Sequence, residues 1–212
     1  MAKTSKPKRT RHLVQAVLIL VIFALLLYWA RVAFIHWQYP IKYTELVDEY
    51  SYQYDVDENL IYAVIKTESG FRNDAESEVG ARGLMQMTEE TFDWLCTKTG
   101  DTYTFDDLYR PEVSIKYGTL LLSLLLEEFQ GDTDTALAAY HAGRASVHSW
   151  LKNREWSKDG VTLTTIPKAD TEHYVDKVNS AIRIYEKLNK ENPQDSYHKV
   201  IRQKGDKNEV PP

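Results

Sequence analysis

One carboxyl in this chain stands where burial is expected. Leu60, Ile61, Val64 and Ile65 repeat on one helical face, behind Asp57 as N-cap and Glu58 in the first turn. Glu68 comes four residues after Val64 and three after Ile65, so it projects from the same apolar stripe. Desolvation by that stripe disfavours the charged form, and the negative helix end, with a stop at Ser69-Gly70, acts in the same direction. A carboxyl kept protonated near neutral pH is what general acid catalysis requires. The same spacing also fits a half-exposed last-turn glutamate, or one paired with Arg72 or Arg82.

Other chemistries find little support. The six histidines include no His-Glu-x-x-His pair, so no metal site is expected. There is no Gly-x-Ser-x-Gly elbow and no phosphate loop, and no cofactor is implied. Cys96, the single cysteine, excludes an internal disulfide framework and a Cys-rich zinc site; beside Leu95 it reads as packing. Asp106-Asp107 and Glu127-Glu128 read as solvated faces or helix ends.

The elements that must position Glu68 are helical. Almost no period-2 alternation occurs beyond residue 36, and the fold class is all-α. Residues 112–129 open at Pro111-Glu112 and carry Val113, Ile115, Tyr117, Leu120, Leu121, Leu124, Leu125 and Phe129 before Gly131. A helix apolar nearly all round belongs at the centre of a bundle-like domain. Further helices are expected after Thr88, at about 133–141 and 145–153, and at about 170–189 with Tyr174, Val175, Val178, Ile182 and Tyr185 inward.

The segment after Glu68 is more specific. It reads Glu68-Ser69-Gly70-Phe71, then Ala75, Ser77 and Gly80-Ala81-Arg82-Gly83-Leu84-Met85-Gln86. This resembles the signature E-S-x-F-x-x-x-A-x-S-x-x-G-A-x-G-L-M-Q of lytic transglycosylases of the soluble lytic transglycosylase and goose-type lysozyme kind. Ala138-Ala139-Tyr140-His141-Ala142-Gly143 with Val147 and Trp150-Leu151 resembles a second family block, and Ile166-Pro167 through Tyr174-Val175 a third. The blocks run in the family's order over about residues 45–187.

The resemblance implies a lysozyme-like α fold (a transglycosylase SLT domain) with a glycan groove, acting on peptidoglycan. It makes Glu68 the single catalytic acid/base, which protonates the bond between N-acetylmuramic acid and N-acetylglucosamine. Glu68 then takes the proton of the muramoyl C6 hydroxyl as that group closes a 1,6-anhydro ring. An intramolecular attack needs one proton shuttle rather than the flanking carboxylate pair of ordinary glycosidases. Ser77, Gln86, Tyr140, His141, Asp170 and Tyr174 become substrate-binding residues, with the Tyr140 hydroxyl orienting the acid and Tyr174 lining the groove. A hydrolytic muramidase and a non-catalytic glycan-binding or scaffold protein remain the alternatives. The chain departs from the family where His141 replaces Asn, where Asp170 replaces Glu, and where Thr88-Glu89-Glu90 stand near a commonly found Pro. Thr88 with two following acids suits an N-cap and first turn.

The N-terminus adds a second kind of information. Lys3, Lys6, Lys8, Arg9 and Arg11 precede Leu13–Ala30, which contains no charge, and Val32–Ile35 extend the run if Arg31 snorkels. The run is longer than a signal-peptide core, and aromatic anchors stand where a cleavage site would be. We expect residues 1–12 as a basic cytoplasmic tail, 13–35 as an uncleaved transmembrane anchor, 36–189 as the lysozyme-like domain outside the cytoplasm, and 190–212 as a polar tail. The protein would sit in the cell membrane as a single-pass chain, with cell-envelope machinery as a further candidate partner. The chain has 26 Lys+Arg and 31 Asp+Glu; six of the basic residues and no acid lie at or before Arg31, so the remainder is near −11. Nucleic acid is therefore not an expected partner.

Overall fold

A computed structural model describes the backbone of residues 8–190; the first residues of the basic tail and the polar tail from 191 lie outside this range. Two compact units divide at residue 40: Met1–Pro40 and Ile41–Pro212. The first contains α1, Lys8–Gln38, whose Leu, Ile and Phe side chains stand exposed. Its stretch Arg11–Gln38 is 28 residues long and apolar enough to cross a membrane. At about 1.5 Å per residue it exceeds a hydrocarbon core of about 30 Å. The helix thus runs past residue 35, the expected end of the anchor.

The second unit is helical, with isolated β-bridges but no strand among its described residues. In chain order its elements are α2 (Thr44–Tyr54), α3 (Glu58–Glu68), α4 (Glu89–Thr99), a 3-10 turn (Phe105–Tyr109), α5 (Pro111–Glu128), α6 (Thr133–Ala142), α7 (Arg144–Leu151) and α8 (Ala169–Lys190). Local signals set many of the ends. Asp57 caps α3 by accepting from the Asn59 amide at 2.7 Å, and Thr88 caps α4 by accepting from the Thr91 amide. Asp107 closes a capping box with Thr104 at the 3-10 turn, so one acid of the Asp106-Asp107 pair is a structural cap.

Two helices form the interior. Leu60 through Ile65 of α3 are buried on every side, more than the single stripe expected from the sequence. Tyr62 of α3 stacks on Tyr185 of α8 with ring centroids 5.3 Å apart, and Asn189 donates to Asn59 at 2.8 Å. α5 buries Val113, Ile115, Tyr117, Leu122 and Leu125. At Gly118 a β-carbon would lie 2.2 Å from Met85 Sδ, so this glycine lets α5 approach the signature loop. Gly83 plays the matching part in the loop: its φ is +79°, and a β-carbon would lie 2.1 Å from the Leu108 carbonyl oxygen. Gly83 is required by packing between two backbone segments.

α2 has no counterpart in the sequence reading. Only Val47 of this helix is buried, and its Tyr, Ser and Asp residues give a weak apolar period. It is held from outside, where Ser123 of α5 donates to the Tyr54 carbonyl at 2.6 Å.

Candidate active site

Glu68 ends α3, and Ser69 follows as its C-cap. The turn is pinned by Ser69 Oγ, 2.8 Å from the Leu84 carbonyl and 3.2 Å from the Ile65 carbonyl. The chain then folds back as a loop braced by Arg82–Met87 backbone bonds of 2.9 and 3.1 Å. Arg82 also pairs with Glu76 at 3.2 Å and Asp106 at 2.6 Å, tying the loop to the 3-10 turn. Arg72 turns back to the Ser69 carbonyl, so neither arginine considered as a partner for Glu68 reaches it.

The group that does reach Glu68 is Tyr174, whose hydroxyl donates to Oε1 at 2.7 Å from the first turns of α8. Burial pushes the Glu68 carboxyl up to about 7, against the lowering effects of the Tyr174 hydrogen bond and the Lys177 charge. Tyr174 is 7% exposed, and burial together with the adjacent carboxylate raises its own pKa, so its hydroxyl stays a donor. Glu68 shares no hydrogen bond or ion pair with a second carboxylate among the described residues.

The hydroxyl that meets the acid belongs to Tyr174, where the resemblance implied that of Tyr140. The Tyr140 hydroxyl donates to the Met85 carbonyl at 2.7 Å instead of to the acid. Glu68 is still close enough for its charge to raise the Tyr140 pKa, after burial as the larger cause. Tyr140 thus holds the signature loop and walls the acid, while Tyr174 orients it. The reason lies in the helix placement: α8 packs directly along α3, whereas α6 faces the loop.

The remaining expected residues separate into two groups. Ser77 accepts from the Ala81 amide at 3.0 Å and keeps its hydroxyl proton for donation. Gln86 spends its amide nitrogen on the Ala75 and Gly83 carbonyls, both at 3.0 Å, so its remaining capacity is that of the carbonyl oxygen as acceptor. His141 stacks on the Tyr174 ring at 4.5 Å, with Nδ1 3.2 Å from Thr171 Oγ1, and burial lowers its pKa. In place of the family's asparagine it buttresses the tyrosine that orients the acid. Asp170 borders this cluster through Thr171: one oxygen accepts from the Thr171 amide at 2.8 Å and from its hydroxyl at 3.4 Å, the other pairs with Lys168 at 3.2 Å, and the carboxylate charge acts on His141. Its shorter side chain serves the start of α8. Lys177 and Thr171 were missed by the sequence reading, although Lys177 follows Tyr174 by one helical turn. No cluster of three His, Cys, Asp or Glu able to hold a metal ion occurs among the described residues.

A lysozyme-like α-domain with one buried, tyrosine-bonded acid at the end of its central helix is the class that fold and site define. The family model described as Transglycosylase SLT domain matches residues 45–162, and the chain belongs to that family. The soluble lytic murein transglycosylase of Salmonella typhimurium is 31% identical over 148 residues, covering 66% of this chain and 22% of that protein. Membrane-bound lytic murein transglycosylase C of Serratia proteamaculans is 31% identical over 172 residues, covering 68% of this chain and 46% of that protein. Among solved structures, an inactive glutamate-to-glutamine mutant of lytic transglycosylase Slt from Pseudomonas aeruginosa superposes with a TM-score of 0.63 at 31% identity, over 71% of this chain and 25% of that one. The 70 kDa soluble lytic transglycosylase of Escherichia coli shares the fold, with a TM-score of 0.65 at 24% identity over 73% of this chain and 25% of that one. The chain therefore spans about a fifth to a half of the length of these relatives.

Proposed function

We propose that this protein is a membrane-anchored lytic transglycosylase. It cleaves the β-1,4 bond between N-acetylmuramic acid and N-acetylglucosamine in peptidoglycan. The observation that carries the reading is Glu68 itself, a carboxyl raised to about 7 by burial, held by Tyr174, with no second carboxylate bonded to it among the described residues. Protonated Glu68 donates to the glycosidic oxygen as that bond breaks. The resulting carboxylate accepts the proton of the muramoyl C6 hydroxyl, whose oxygen bonds to C1 and closes the 1,6-anhydro ring. The proton count returns to its starting value and no water is consumed. The positioned intramolecular nucleophile supplies what a second carboxylate supplies elsewhere. A relative of this fold is inactive as a glutamate-to-glutamine mutant, which supports an essential glutamate here.

Mass spectrometry of fragments released from purified sacculi tests the product. Anhydromuramoyl ends are expected; reducing muramic acid ends would identify a water-consuming muramidase, and no released fragments would identify a binding or scaffold protein.

The anchor belongs to the same proposal: residues 1–12 in the cytoplasm, 13–35 in the bilayer with the helix continuing to Gln38, and the catalytic domain outside from about residue 36. Protease added to intact protoplasts is expected to remove the domain and leave a membrane-bound N-terminal fragment; a fully protected chain would reverse the topology.

A further inference from the structure

Two departures from the family signature, far apart in the chain, meet at one buried side chain. His141 stands in place of asparagine on α6, and Asp170 in place of glutamate at the start of α8. Thr171, fully buried, lies between them: its hydroxyl is 3.4 Å from one Asp170 oxygen and 3.2 Å from His141 Nδ1. A buried hydroxyl needs a partner for its proton and one for its oxygen. Donating to Asp170 leaves the oxygen to accept from Nδ1, which puts the imidazole proton there and fixes the ring.

The fixed ring faces Tyr174. The two rings stack with centroids 4.5 Å apart and planes 25° apart, and the Tyr174 hydroxyl reaches Glu68 at 2.7 Å. Burial lowers the His141 pKa, ahead of the raising effect of Asp170 and the lowering effect of Lys168, so the ring is neutral at neutral pH. The Glu68 carboxyl is moved instead by burial, Tyr174 and Lys177. The other polar neighbours are engaged elsewhere: Tyr140 on the Met85 carbonyl, and Arg144 of α7 on Glu128. An asparagine carries its amide nitrogen as many bonds from the backbone as Nδ1 but has no ring. Only the histidine can hold the tyrosine by its face.

We infer that His141, Thr171 and Asp170 form one positioning unit, in which the imidazole face locks the Tyr174 ring so that its hydroxyl stays on Glu68. The two departures from the family are then one coupled change. The effect on proton transfer runs through Tyr174, and for its catalytic consequence the inference rests on the reading of Glu68 as a glycan-cleaving acid.

The test uses the full chain in detergent and reads Glu68 through two pH transitions. One is the alkaline limb of kcat/KM on sacculi. The other is the pH at which chemical denaturation begins to separate each variant from its Glu68→Gln counterpart. His141→Ala frees the tyrosine, whose hydroxyl lowers the Glu68 pKa, so both transitions should move up by about 0.5 pH unit. The same variant should lose about threefold to tenfold in kcat with little change in KM. His141→Phe keeps a stacking face and should leave both transitions in place, whereas His141→Asn should behave as alanine does. Thr171→Val and Asp170→Ala should move them the same way by less. In a Tyr174→Phe background none of these changes should move either transition further. Circular dichroism confirms that each variant is folded; the exposed His141 keeps the test decisive if Thr171→Val unfolds. Unmoved or lowered transitions in a folded alanine or valine variant would overturn the unit, as would shifts that add to Tyr174→Phe. Phenylalanine behaving as alanine, asparagine behaving as histidine, or a raised KM at unchanged kcat would overturn it too. Sacculi left undigested by the wild type would remove the catalytic reading while denaturation still decides the unit; digestion with unmoved transitions would do the reverse.

Discussion

Replacing Glu68 with glutamine is expected to lower fragment release from peptidoglycan at least about a thousandfold, and to stabilise the protein at alkaline pH. The first effect follows from the use of one side chain as both acid and base, since a single such role is typically worth about a hundredfold to ten-thousandfold. Glutamine keeps the shape and accepts from Tyr174 but carries no transferable proton.

The second effect follows from linkage. The folded Glu68 pKa is about 7 against a reference value of 4.5, so between these values the folded chain holds a proton that the unfolded chain has released. The resulting stabilisation is complete below pH 4.5 and is lost as pH rises through 7. The shift corresponds to about 3 kcal/mol, which ionisation removes at pH 8. Chemical denaturation at pH 8 should therefore favour Glu68→Gln by up to about 3 kcal/mol, with the difference shrinking toward zero below about pH 5. Equal stabilities at pH 8 would contradict burial of the charge. In the wild type the same ionisation should make kcat/KM fall about tenfold per pH unit above 7, because the acid form is lost. A rate unchanged from pH 4 to pH 9 would remove Glu68 from the proton-donating role.

Tyr174→Phe is expected to cost about tenfold to a hundredfold in kcat, with a smaller change in KM. A hydrogen bond to a charged group is worth about 1.5–3 kcal/mol, and this one serves the carboxylate formed after the first proton transfer. Its pH signature separates orientation from packing. The hydroxyl lowers the Glu68 pKa, so its removal should move the alkaline limb to higher pH while the maximal rate falls. A lower rate with an unmoved limb would mean that the ring matters only as a wall. Tyr140→Phe breaks the bond to the Met85 carbonyl instead, so it should loosen the signature loop without that shift of the limb.

Much of the molecule was legible from local pattern. The Asp57 and Thr88 caps, the apolar α5 and the limits of α6 and α8 depend on residues within a few positions of one another, and the structure has them where spacing implied. The acid was legible for the same reason, because a 3.6-residue period carries Glu68 onto the stripe of Val64 and Ile65. The helix α2 was not, since a single buried side chain leaves no period to read.

By itself the sequence determined the helical class, the family signature, an apolar N-terminal segment and the one acid placed to be desolvated. The tertiary structure alone decided which tyrosine serves that acid. Tyr140 and Tyr174 are indistinguishable as residues near motif blocks, and only the packing of α8 along α3 brings the latter's hydroxyl to 2.7 Å. It also decided that Gln86 spends its amide on the loop, that Gly83 is required by the Leu108 carbonyl, and that His141 supports a ring. Periodicity and caps are short-range and recorded in neighbouring residues. Hydrogen-bond partners across 106 positions depend on helix crossings and rotamers, which are settled when the core packs.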